Sequence, residues 1–236
     1  MTQHSPHAPT SHRRAGAGRI VRLAAIAAVV LAASAGCQKG RTTEDLIARG
    51  NHAYDYGRYE EADRDFKRVL DRYPGDPAAN LGYGRTMEAM GRLEEARMAL
   101  ETASVARPLD LEISLALAEV LYEQRDTERL YQLLRDRAVE QGRVEAWLAM
   151  ADFALRLDDP DTAQMAIVAA LELSGARSAD PYLEAARLAE RVGNQKEAIR
   201  RLRQAYGIAP EDPRVIAGLV EYGEVPGPTI ALPPGK

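Results

Sequence analysis

One spacing recurs along this chain of 236 residues. Residues 43–76 read TEDLIARGNHAYDYGRYEEADRDFKRVLDRYPGD, and residues 77–110 read PAANLGYGRTMEAMGRLEEARMALETASVARPLD. Residues 179–212 read ADPYLEAARLAERVGNQKEAIRRLRQAYGIAPED. Gly57, Gly91 and Gly193 stand 34 and then 102 residues apart, and 102 is three periods. Ala62, Ala96 and Ala198 keep the same spacing, as do Pro74, Pro108 and Pro210. Three residue types on one period mark a repeat array, in which each unit buries its apolar face against a neighbour. The residue types fit paired helices. Pro cannot continue a helix, Gly suits the tight turn between two helices, and Ala lets backbones approach closely.

This pattern resembles the tetratricopeptide repeat family. The resemblance implies an all-α, right-handed superhelical solenoid of antiparallel helix pairs. The family's small position 8 falls on Gly50, Gly84 and Ala186, and position 20 on Ala62, Ala96 and Ala198. Position 27 is Val69, Ala103 and Ala205, and the large position 24 is Phe66, Leu100 and Leu202. The 102-residue interval leaves room for two further units. Residues 144–177 supply one, with Trp147, Ala151, Ala163, Ile167 and Ala170 in register and Pro160 opening the second helix. Residues 111–143 form an irregular unit, with Ala118 at position 8 but Leu130 at 20 and Arg137 at 27. Five units are therefore expected, at 43–76, 77–110, 111–143, 144–177 and 179–212. A capping helix over 213–222 is expected to follow, then a Pro/Gly-rich tail over 223–236 that is disordered or extended, a frayed end being expected and a short docking peptide the alternative.

Residues 1–36 read as a removable leader. Arg13, Arg14, Arg19 and Arg22 stand without an acidic residue before the apolar run LAAIAAVVLAASA at 23–35, the arrangement of a secretory signal. Arg22 and Lys39 bracket 16 residues, fewer than the roughly 20 apolar residues a membrane-spanning helix needs. Ser34-Ala35-Gly36-Cys37 resembles the lipobox of bacterial lipoproteins, departing from it at Ser34, where Leu is commonest. The resemblance implies cleavage before Cys37 and lipidation of its thiol. One acyl chain anchors only marginally, and the three chains of that family's mature form imply permanent attachment. Gln38 implies outer-membrane delivery under the sorting rule of enteric bacteria, with the protein facing the periplasm. Residues 37–42 are the lipidated Cys and a tether that reaches at most about 17 Å, in which Lys39 and Arg41 suit anionic lipid. The alternative is an ordinary signal peptide followed by a free cysteine.

The leader also decides what chemistry remains. Cys37 is the only cysteine, and His52 the only histidine beyond residue 36. No intramolecular disulfide can form, and the Cys/His sets of zinc sites or thiol catalysis are missing. Gly82-Tyr83-Gly84 lies inside a helical unit rather than in a phosphate loop. Asp158-Asp159-Pro160-Asp161 lacks the spaced ligands of a calcium loop, so these residues are expected to cap a helix. His52 has no matched nucleophile, and a solvent-facing position is expected. The chain is expected to be no enzyme and to need no cofactor or metal beyond the covalent lipid. Without the four leader arginines, 27 basic residues face 35 acidic ones, a net charge near −8. That sign opposes nucleic-acid binding.

In the family, positions 2, 5, 6, 9, 12 and 13 of each first helix line a concave surface. Candidate partner-binding residues at those positions are Asn51, Tyr54, Asp55, Arg85, Glu88, Glu112, Glu119, Tyr122, Glu123, Glu145, Asp152, Arg156, Glu184 and Arg187. With Glu44, Asp180, Glu190 and Arg191, the surface carries eleven acidic and four basic side chains. The stretch from Glu88 to Asp152 is almost purely negative. Such a groove favours a basic or amide-rich peptide and speeds its arrival; the alternative is a solvated acidic face without a ligand. The Lys/Asn/Arg clamp by which some family members hold a chaperone's C-terminus is matched only at Asn51. Ile47, Gly82, Glu112 and Ala116 depart from it, so that activity is not expected. The combined resemblance implies a lipid-anchored scaffold of the bacterial envelope, nearest in kind to repeat lipoproteins that assist pilus or secretion machinery. An adaptor for outer-membrane protein assembly or cell-wall hydrolases, and a structural spacer, are the alternatives.

Overall fold

The computed structural model describes residues 1–2, 42–175 and 177–235. Nearly all of the expected leader, the lipidation site Cys37 and the tether through residue 41 lie outside the described residues. Among those described, eleven α-helices and no strand are present. They are α1 (Thr43–Asp55), α2 (Tyr59–Leu70), α3 (Pro77–Ala89), α4 (Leu93–Ala106), α5 (Leu111–Glu123) and α6 (Thr127–Gln141). The series continues with α7 (Val144–Arg156), α8 (Pro160–Ser174), α9 (Asp180–Arg191), α10 (Gln195–Ile208) and α11 (Pro213–Glu221). Each helix packs on the next, and each odd-numbered helix from α1 to α7 also meets the following odd-numbered one. The result is a stack of five helix pairs closed by α11.

The turns explain the period. Position 15 has positive φ in all five units: Gly57 at 69°, Gly91 at 72°, Arg125 at 61°, Asp158 at 59° and Gly193 at 75°. Glycine adopts this region at no steric cost, whereas Arg125 and Asp158 hold it against one. Helix starts are fixed by side chains accepting from orphan N–H groups. Asp76 accepts from Ala79 N at 2.8 Å, Asp126 from Arg129 N at 3.2 Å and Asp159 from Thr162 N at 3.1 Å. Asp159 therefore caps, as expected of the acidic loop. Where Pro74, Pro108 and Pro210 follow the second helix, it runs 12 or 14 residues. Units three and four lack that Pro, and α6 and α8 run 15 residues until Gly142 and Gly175 end them in the left-handed region.

The core is built by large residues seated on small ones. The Phe66 ring lies 2.7 Å from where a Cβ on Gly50 would sit and 2.3 Å from one on Gly82, so α1 and α3 both close on it. Leu100 fills the same role over Gly84, and Leu202 over Gly218 of α11. In the regular units the second helix buries positions 20, 24 and 27, for example Ala96, Leu100 and Ala103. Unit three buries Leu130, Leu134 and Ala138 instead. Its last small residue is displaced by one position, which keeps Arg137 at the edge of the core, paired with Glu140 at 3.3 Å. Trp147 is half-buried against the main core cluster.

Of the tail, read from composition as disordered or extended over 223–236, residues 230–235 lie along α10. Leu232 N donates to the Arg203 carbonyl at 3.0 Å, and Arg203 Nε donates to the Ile230 carbonyl at 2.7 Å. The physical reason is Ile230, which packs against the core cluster and gives an otherwise Pro/Gly-rich segment something to bury.

Candidate functional site

The first helices of the five units align their outward positions along one face, and the stagger between neighbours decides which charges meet. Arg85 on α3 donates to Glu112 on α5 at 2.8 Å. Arg156 on α7 reaches back to Glu119 on α5, its Nη1 donating to Oε2 at 2.8 Å. Arg187 on α9 donates to Asp152 on α7 at 2.9 Å and also pairs with Glu184 at 2.9 Å. Arg191 reaches Asp158 at 3.2 Å, and Arg214 on α11 reaches Asp180 at 2.8 Å. Every junction after the first is therefore bridged on this face by an arginine.

The ladder corrects the picture of an almost purely negative middle. Glu112, Glu119 and Asp152 are each neutralised by an arginine from an adjacent unit. Glu88 and Glu123 form no ion pair among the described residues, and Glu145 pairs only with its neighbour Arg143 at 3.4 Å. Glu88 is half-buried. Its burial first, then the nearby carboxylates of Glu123 and Glu119, push its pKa up to about 7, with Arg85 opposing the shift. Glu184 is raised for the same leading reason, burial, with Arg187 opposing it. A carboxylate whose pKa is raised toward neutrality on such a face is sensitive to any cation placed beside it.

The aromatic candidates divide. Tyr54 packs against Tyr59, ring centroids 5.7 Å apart, and its hydroxyl pKa is raised, chiefly by burial and then by Glu88. Tyr54 and Glu88 thus share one neighbourhood, across α1 and α3. Tyr122 is covered: the Arg156 guanidinium sits 4.0 Å from its ring centroid and 4.8 Å from that of Phe153. Asn51 and Asp55 are exposed on the first unit. His52 is exposed as expected, in contact with Tyr56 and Arg58. The structure brings Tyr54, Asp55, Arg85 and Glu88 together at one end of the face. It places Glu112, Glu119, Tyr122, Glu123, Asp152 and Arg156 in the middle, and Glu184 and Arg187 at the other end.

Residues 53–120 match the model of a tetratricopeptide repeat family. No curated protein matches the chain. Among solved structures, TTC0263, a thermophilic TPR protein in Thermus thermophilus, is 25% identical with a TM-score of 0.52 over 76% of this chain and all of the other. A tetratricopeptide repeat protein from Parabacteroides merdae is 20% identical at TM-score 0.56, covering 77% of this chain and 74% of its own. PilW, described as a widely conserved type IV pilus biogenesis factor, is 17% identical at TM-score 0.58, covering 86% of this chain and 92% of its own. The fold is a tetratricopeptide-repeat solenoid.

The solenoid's face extends beyond the candidate residues. Between α9 and α11 lies an open cavity of ≈ 340 Å³, floored by Leu183, Ala186, Leu202 and Gly218 and edged by Glu184 and Arg187. Reading positions from the five tetratricopeptide units alone stops at α9 and misses it. The missing signal was in the sequence: Asp212-Pro213 repeats Asp76-Pro77, and Gly218 repeats Gly82, so α11 is placed as the first helix of a further unit. Asp212 caps it as Asp76 caps α3.

Proposed function

We propose that this chain is an envelope-anchored scaffold that holds a segment of a protein partner on the face formed by its first helices. The observation that carries the reading is the imbalance left by the arginine ladder. All four arginines expected on the face are committed to carboxylates between units, while Glu88 and Glu123, close enough for Glu123 to raise the Glu88 pKa, form no ion pair among the described residues. A basic or amide-rich segment supplies what they lack. The ladder does not resist it, since exposed ion pairs are worth only about 0–1 kcal/mol each. The leader and Ser34-Ala35-Gly36-Cys37 support lipid attachment at Cys37, with outer-membrane delivery read from Gln38. Fold likeness to PilW supports a pilus-assembly setting as the first one to test.

Two experiments separate the parts of this reading. Cys37→Ser is expected to move the protein from the membrane fraction to the soluble periplasm and to abolish incorporation of labelled fatty acid; unchanged membrane retention contradicts the anchor. The doubly reversed variant Glu88→Lys, Glu123→Lys is expected to lose affinity for a basic peptide and to lose the salt dependence of that binding. Equal affinity at low and high salt in the native chain contradicts the electrostatic groove.

A further inference from the structure

The contacts of the C-terminal segment are one-sided in their chemistry. Side chains of α10 donate to three of its carbonyls. Arg203 Nε reaches Ile230 at 2.7 Å, Gln204 Nε2 reaches Pro233 and Gly235 at 3.4 Å each, and Arg201 Nη1 reaches Gly235 at 3.3 Å. In return α10 accepts a single N–H, that of Leu232. Pro233 and Pro234 have no N–H to give, and nothing on α10 asks for one there. Donors aimed at carbonyls, with an apolar side chain seated upstream, is how an extended proline-containing peptide is held. The helix surface is shaped for that backbone: a Cβ on Gly207 would stand 2.4 Å from the Leu232 carbonyl oxygen. Gln204 is 4% exposed, so its amide is committed to this contact rather than to water.

Part of this hold is loose. The segment follows Gly223, at φ 75°, and three of its side-chain contacts lie at 3.3–3.4 Å, at the long edge of hydrogen bonding. We propose that the outer flank of α10 is a second peptide-binding surface, separate from the face of the first helices. It reads the carbonyls of an extended Ile/Leu- and Pro-containing segment, and residues 230–235 of the chain occupy it until a partner segment of the same chemistry displaces them.

The probe is a synthetic peptide of residues 226–235, titrated against the full chain. Ile230→Asp weakens the internal segment and leaves α10 untouched. Its apparent affinity for the peptide is expected to exceed that of the native chain by about tenfold or more, because an occupied site lowers apparent affinity by the fraction of molecules free to bind. Gly207→Ala favours the helix itself. Added to Ile230→Asp, it is expected to abolish peptide binding. In the otherwise native chain it is expected to strip hydrogen-exchange protection from the Leu232 amide while the α10 amides stay protected. The proposal is overturned if the peptide binds Ile230→Asp no better than the native chain, or if Gly207→Ala leaves peptide binding intact. It is equally overturned if the Leu232 amide is unprotected in the native chain. None of these outcomes depends on Glu88 or Glu123, so the two surfaces stand or fall separately.

Discussion

Glu88 shows how much a single position carries. Its pKa is pushed up to about 7 from the ordinary carboxylate value of 4.5, chiefly by burial, so the fold disfavours its charged form. Folded stability is therefore expected to fall as pH rises from the ordinary carboxylate range through about 7. Glu88→Gln should flatten that fall and melt higher than the native chain at pH 8, as thermal unfolding at a series of pH values would show. Binding runs the other way. A basic peptide should bind the native chain more tightly at pH 8 than at pH 6, because Glu88 is then charged, and Glu88→Gln should lose the difference. Arg125 makes a second residue-scale case. It holds φ 61° where three other units place glycine, so Arg125→Gly should stabilise by about 1 kcal/mol, read as a shift in urea midpoint. Gly57, Gly91 and Gly193 announce the turn in the sequence. Arg125 makes the same turn silently, because arginine does not signal positive φ, and Asp158 signals it far less distinctly than glycine does.

Among the elements, the regular units were legible because Ala, Gly and Pro recur where close approach and helix ends demand them. Phe66 is the clearest seat. It fills the space left by Gly50 and Gly82, and Phe66→Ala should cost about 3–5 kcal/mol in chemical denaturation. Gly82→Ala should cost about 1–3 kcal/mol by overpacking the same seat. The one-residue shift in α6 was not legible. Leu130, Leu134 and Ala138 satisfy a helical stripe as well as the family's spacing does, and only packing against α5 and α7 selects between them. That the tail docks was not legible for a related reason. Its Pro and Gly content describes a disordered or extended backbone. Composition predicts the conformation of such a segment without saying whether a surface waits for it.

For the whole molecule, the charge of the face was countable in the sequence, but its pairing was not. Which carboxylate meets which arginine depends on the stagger between successive units, and that stagger draws Glu112, Glu119, Asp152, Asp180 and Glu184 into a ladder while leaving Glu88 and Glu123 outside it. The cavity beside α11 escaped for the same kind of reason, since it lies between two helices assigned to different parts of the array. A partner segment lying on the face of the first helices can be caught in place. A photo-crosslinking residue is put at position 123 in living cells, with Met165 on α8 as the control position, exposed on a second helix. One discrete adduct is expected from position 123, none from 165, and loss of the adduct when Glu88 is reversed to Lys. Adducts of equal yield from both positions, or an adduct at 123 indifferent to the Glu88 reversal, would contradict a partner held on that face.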